Sequence, residues 1–201
     1  MDNQFEDYKS EVAPDRTVLL AVAPSDFQDM EFQGIRQVMV EFGYNLEITS
    51  LKAGECHGMY GTVVRSDFPF PEIEPENYQA LVFVGGTGIS VLIDNEDAIS
   101  LAQRFAQQNK IIGALSDAPL ILIAAGVLPA GAKISASDPL RQAIRDGGFN
   151  YSDDHVSVDG HFITADNYQA SQEFAHEMLA VFNRETDNQD SYEESDMEES
   201  A

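Results

Sequence analysis

Ser116 and Asp117 interrupt an otherwise apolar stretch, IIGALSDAPLILIAAGV from Ile111 to Val127. A short apolar run, a polar break and a longer Ala/Leu/Ile run predict a buried strand, a sharp turn and a helix. Such a turn sets its side chain at the carboxyl edge of a sheet, where open α/β proteins bind ligands. The orphan N–H groups of the next helix would face it and welcome an anion or an oxyanion. Ser116 is therefore a candidate nucleophile. The simpler reading is that Ser116 and Asp117 cap the helix beginning near Ala118 and Pro119, as both residue types are favoured there and Pro suits a first turn.

Other chemistry-bearing residues are sparser. Gly85 and Gly86 open the run GGTG directly after an apolar segment, where glycines let backbone N–H groups approach a ligand or simply make a turn. Their spacing fits neither a dinucleotide fingerprint nor a phosphate loop. Cys56-His57 has no helix terminus to activate the thiol and reads as inert. His155 and His161 flank Asp159-Gly160 and read as exposed strand histidines. The carboxylates near the C-terminus lack the spacing and turn glycine of a calcium loop.

The positioning elements follow from periodicity. Thr17–Ala23 (TVLLAVA) is a continuous apolar run and predicts a central parallel strand. Phe32, Ile35, Val38, Met39 and Phe42 recur at helical spacing before Gly43, and NLEITS then completes a βαβ unit. Residues 51–76 mix turn residues with a short strand, TVVRSD, as a hairpin or flap would. ALVFV is a further buried strand, and a helix follows over residues 97–108. Ser137 or Asp138 would cap a helix starting at Pro139 and ending at Gly147-Gly148. HVSVDGHFITA predicts a hairpin turning at Asp159-Gly160, and a last helix spans residues 169–182.

Composition bounds the function. A chain of 201 residues, 43% hydrophobic, suffices for one domain with a sizeable core. The single cysteine excludes an intramolecular disulfide and fits a reducing cytoplasm. No export signal and no apolar run of roughly 18 residues is present, which argues against export and membrane spanning. Eleven basic against 35 acidic residues give a net charge of −24, which repels nucleic acid and anionic membranes. Residues 1–16 read as a mobile polar leader, 17–183 as the folded domain, and 184–201 as a disordered acidic tail.

Taken together, LLAVAPSDFQDMEF, ALVFVGG, ALSDAPLILIAAGVL and VSVDGHFITA resemble, in order and spacing, the ThiJ/PfpI family of the class I glutamine amidotransferase-like superfamily. The resemblance covers roughly residues 17–183. It implies a three-layer α-β-α sandwich around a mainly parallel, flavodoxin-like sheet with a nucleophile elbow. It also implies a homodimer or larger homo-oligomer. Family members typically carry a cysteine at the elbow, often followed by histidine, and a glutamate from the first βα loop bonded to the thiol. Glu31 matches that glutamate, Gly86 the oxyanion-hole glycine, and Ser116 the cysteine. Asp117 stands where histidine is common, Ser137 where some members carry a pocket histidine, and Ala165-Asp166-Asn167-Tyr168 where Ser-Arg-Gly-Pro is usual.

Serine at the elbow argues against the family's cysteine-dependent glyoxalase, deglycase, isonitrile hydratase or redox-sensing chemistry. A serine hydroxyl needs a positioned base, and no motif sets a histidine beside Ser116. Glu31 would serve only if burial raised its pKa well above about 4.3, and the Asp117 carboxylate would oppose an oxyanion. The sequence thus favours a non-catalytic homologue that keeps a pocket for a small molecule or partner, without cofactor or metal. The alternative is a serine-dependent hydrolase or lyase using Ser116, Glu31 and the N–H groups of Gly86 and Asp117. A third reading gathers Glu31, Asp117 and Asp166 around a divalent cation.

Overall fold

The computed structural model describes residues 16–184. The expected polar leader and acidic tail lie outside the described residues except at Arg16, whose guanidinium sits 5.9 Å above the Tyr44 ring, and Arg184. The elements run β1 (Thr17–Ala21), β2 (Ser25–Phe27), α1 (Asp29–Glu41), β3 (Asn45–Ser50), β4 (Gly54–Gly58), β5 (Val63–Ser66), β6 (Phe68–Pro69) and β7 (Ala80–Phe83). They continue through α2 (Glu96–Gln107), β8 (Ile111–Leu115), α3 (Pro119–Ala125), β9 (Lys133–Ile134), α4 (Arg141–Asp146), β10 (Asn150–Tyr151), β11 (Val156–Asp159), β12 (Phe162–Ala165) and a last helix, α5, over residues 171–184.

Seven strands form one sheet in the order β11-β12-β8-β7-β1-β3-β6, parallel except for β11. Alternate residues of each strand feed opposite faces. Val18 and Leu20 join α1 and α5 through Ile35, Met39, Phe174 and Met178, whereas Leu19 and Ala21 join α2 and α3 through Leu101, Phe105, Ile121 and Leu122. Three layers result, with the central strands buried on both sides, hence their unbroken apolar runs. The expected flap is a second sheet, β2-β4-β5, whose tip is tied to α1 by Asp29 accepting from the N–H groups of Tyr60 and Thr62 at 2.9 and 2.8 Å.

Two local expectations are corrected. The hairpin pairs Asp159 with Phe162, so its two turn residues are Gly160 and His161, with Gly160 at φ +61°, rather than Asp159-Gly160. The segment after Ser137 starts as a single 3-10 turn over Asp138–Leu140, and α4 begins only at Arg141. Ser137 makes no capping bond there, as its hydroxyl is committed elsewhere.

β3 is added on one side of β1 and β7, β8 and β12 on the other, so strand order reverses between the parallel neighbours β1 and β7, the switch point where strand ends leave a crevice. Strand β8 lies beside β7 and carries Gly113, where a Cβ would run into the Phe174 ring of α5. Gly113→Ala should therefore cost about 1–3 kcal/mol through overpacking. Adding Phe174→Leu should recover part of that loss, so a double-mutant cycle by urea denaturation should show coupling between the two positions.

Candidate active site

Three neighbouring strands, β8, β7 and β1, deliver the site at their carboxyl ends. Ser116 directly follows β8 and has φ +55°, a left-handed conformation that a serine holds at a cost of roughly 1–2 kcal/mol. Its N–H is fixed by Ala165 O at 2.9 Å, and the following residues turn tightly into α3 through Ala118 N–H to Leu115 O, also 2.9 Å. The capping expectation is overturned. The residue capping α3 is Ala118, which provides no side-chain bond, and neither Ser116 nor Asp117 turns its side chain to the helix.

The Ser116 hydroxyl instead meets Glu31, with Oγ 2.5 Å from Oε1. Glu31 lies in the first turn of α1 and is fully buried, and its Oε2 accepts the Gly85 N–H at 2.7 Å. Burial pushes the Glu31 carboxyl up to about 7, the nearby Asp117 charge adding to it and the bonds from Ser116 and Gly85 opposing it. Burial thus shifts Glu31 in the direction that a base for Ser116 requires. The acceptor is a carboxyl rather than an imidazole.

Gly85 and Gly86 have different tasks. The Gly85 N–H is taken by Glu31, which removes it from the donors expected to face a ligand. A Cβ at Gly85 would come within 2.8 Å of Glu31 Oε2, 2.9 Å of Leu115 O and 3.0 Å of Ser116 Cβ, so glycine permits the packing. Gly86 has φ +106° and lies against the backbone of residues 26–28. Among the described residues, the N–H groups of Gly86 and Asp117 donate to no backbone carbonyl. They are the donors left near Ser116.

Asp117 accepts a hydrogen bond from Ser137 Oγ, and the Ser137 N–H donates to Ser116 O at 3.1 Å. Asp166 binds His155 Nδ1 at 2.8 Å and the Asn167 amide at 2.7 Å. The three carboxylates of the cation reading therefore point to different partners, and among the described residues no group of three His, Cys, Asp or Glu is placed to hold a metal ion. His155 is exposed as expected, with Asp166 favouring its protonated form. That pairing escaped the sequence reading, although the hairpin register sets the two residues opposite one another. Cys56 is buried, which pushes its thiol up, the direction opposite to activation. Among the described residues no helix is long and apolar enough to cross a membrane.

Comparison with known proteins agrees with this architecture. The DJ-1/PfpI family model matches residues 16–181. A Methanocaldococcus jannaschii protein, described only as uncharacterized, is 32% identical over 180 residues, covering 88% of this chain and 87% of its own. A protein of Pyrococcus horikoshii named a deglycase is 30% identical over 160 residues, covering 78% of this chain and 96% of its own. The crystal structure of a ThiJ/PfpI domain protein from Brachyspira murdochii superposes with a TM-score of 0.81 at 26% identity, over 84% of this chain and 97% of that one.

The raised Glu31 carboxyl has a consequence for stability. Its folded-state pKa exceeds that of the unfolded chain, so the folded state holds the extra proton between about pH 4.5 and 7. Its contribution is fully present below that window and is lost as pH rises through about 7, a change on the order of 3 kcal/mol. Urea midpoints measured across this range should fall with rising pH more steeply in the wild type than in Glu31→Gln. Parallel curves would show that Glu31 titrates normally.

Proposed function

The chain belongs to the DJ-1/PfpI family, and on that premise we propose that it is a serine-dependent enzyme acting on small acyl or carbonyl compounds. Ser116 is the nucleophile in this reading, at the position of the family's elbow cysteine. One observation carries it: a serine of left-handed backbone whose hydroxyl lies 2.5 Å from a buried carboxyl with its pKa pushed up to about 7. That value matches a general base to neutral pH, the condition a serine lacking an imidazole requires. Relatives named deglycases favour an enzyme over a protein that only binds.

The steps use residues already placed. Ser116 Oγ attacks the carbonyl carbon while its proton passes to Glu31 Oε1. The N–H groups of Gly86 and Asp117 receive the oxyanion. Collapse expels the leaving group, which takes the proton from Glu31 and leaves an acyl ester on Ser116. A water then gives its proton to Glu31 as it attacks that ester. Breakdown releases a carboxylic acid and returns the proton to Ser116. Gly85 acts through Glu31, fixing the oxygen that is not used for proton transfer.

A second reading, ligand or partner binding without turnover, is favoured by the Asp117 carboxylate. That charge lies next to the place where negative charge would develop, and such a neighbour slows acyl transfer. We also propose a cytoplasmic homo-oligomer. The exposed Met30, Tyr60 and Tyr168 side chains are candidates for its contact.

Labelling separates the two readings. A fluorophosphonate should add one phosphonyl group to the full chain at Ser116, faster as pH rises through about 7. Ser116→Ala should abolish the adduct, and Glu31→Gln should slow it by about 10²–10⁴-fold. A folded wild type left unlabelled at pH 8 would overturn the enzyme reading in favour of binding alone.

A further inference from the structure

We propose that Asp117 makes the site selective for cationic substrates, so that it takes an ammonium- or guanidinium-bearing acyl compound in preference to a neutral or anionic analogue. This rests on the serine site above and concerns what that site accepts.

Asp117 is the residue after Ser116 and is only partly buried. Its Oδ1 is held by the Ser137 hydroxyl, and Ser137 is itself fixed by the bond from its N–H to Ser116 O. That bond restrains the carboxylate rather than leaving it to sweep through solvent. Among the described residues its Oδ2 accepts no hydrogen bond, so one oxygen stays available.

Several basic groups of the chain have carboxylate partners of their own. Lys133 pairs with Asp154 at 2.5 Å, Arg141 spans Asp138 and Asp153 at 3.1 and 2.6 Å, and His155 pairs with Asp166 at 2.8 Å. Lys133 and Arg141 are thereby engaged, as is His155 when it is protonated. Asp117 has a neutral hydroxyl as its partner, and no ion pair to it occurs among the described residues. Its charge is also close enough to the Glu31 carboxyl, the partner of the Ser116 hydroxyl, to oppose its ionisation. A cation there would complete the pairing, and an anion would meet an uncompensated like charge. The net charge of −24 adds a long-range bias in the same direction.

Three matched thioesters test this on the full chain: acetylthiocholine, its neutral isostere 3,3-dimethylbutyl thioacetate, and anionic 3-(acetylthio)propionate. Thiol release and the shift in thermal midpoint are read together. The cationic ester should be favoured over the neutral one by about tenfold in KM or Kd, equivalent to about 1.4 kcal/mol, with the anionic ester weakest. Asp117→Asn, which keeps the shape and removes the charge, should bring the first ratio to about one. Ser137→Ala should lower it partway by freeing the carboxylate, and added salt should lower it in the wild type. Equal response to the cationic and neutral esters, a preference unchanged in Asp117→Asn, or no binding of any of the three would overturn the proposal. Cationic preference in the midpoint without thiol release would retain it while removing the serine-enzyme reading. Thiol release without preference would do the reverse.

Discussion

The buried contact between Glu31 and Ser116 is the constraint that organises this end of the molecule. A carboxyl with no solvent exposure must be neutral or have its oxygens bonded. Here one oxygen takes the Gly85 N–H and the other meets the Ser116 hydroxyl. Those three residues come from the ends of three adjacent strands or the helix following one of them, so the contact exists only if β1, β7 and β8 lie side by side. The parallel registers of β7 with β1 and β8 supply that adjacency. The apolar cores on both faces then hold the strands against the local penalties of a buried acid and a left-handed serine.

Much of this was legible in the chain. Unbroken runs such as TVLLA and IIGAL can satisfy both faces of a buried parallel strand, and the helical spacing of Phe32, Ile35, Val38 and Met39 gave α1 its inner face. A polar pair breaking an apolar stretch located the elbow, and paired glycines after β7 marked a place where side chains would not fit. The resemblance then tied Glu31 to Ser116 across 85 positions of sequence, a link periodicity could not have made.

What stayed hidden depended on register and on competition for hydrogen bonds. Moving the hairpin turn by one residue, from Asp159-Gly160 to Gly160-His161, changes which residues face each other, and only the observed register sets His155 opposite Asp166. Ser137 and Asp117 both looked like helix caps, because residue type records a preference but not which partner wins. They bind each other across 20 positions, and the helices start with ordinary turns instead. Gly85 looked equivalent to Gly86 until the Glu31 carboxylate claimed its N–H. The pKa of Glu31 was invisible for the same reason: it depends on complete burial, which only the packed structure defines.

The withheld caps bear on what this edge of the sheet is for. If Ser116 and Asp117 served only to begin α3, their side-chain oxygens would accept its first N–H groups, which is the cheapest use of those residues at such a turn. Neither does so. Ser116 adopts a backbone conformation that serine disfavours and turns to a buried acid, while Asp117 is restrained by a hydroxyl and keeps an oxygen open. Each choice forgoes a local stabilisation of about 1 kcal/mol, and the Ser116 backbone adds roughly 1–2 kcal/mol of strain. Two adjacent residues departing from the most stable local arrangement in concert is the pattern expected where geometry serves a ligand rather than the fold.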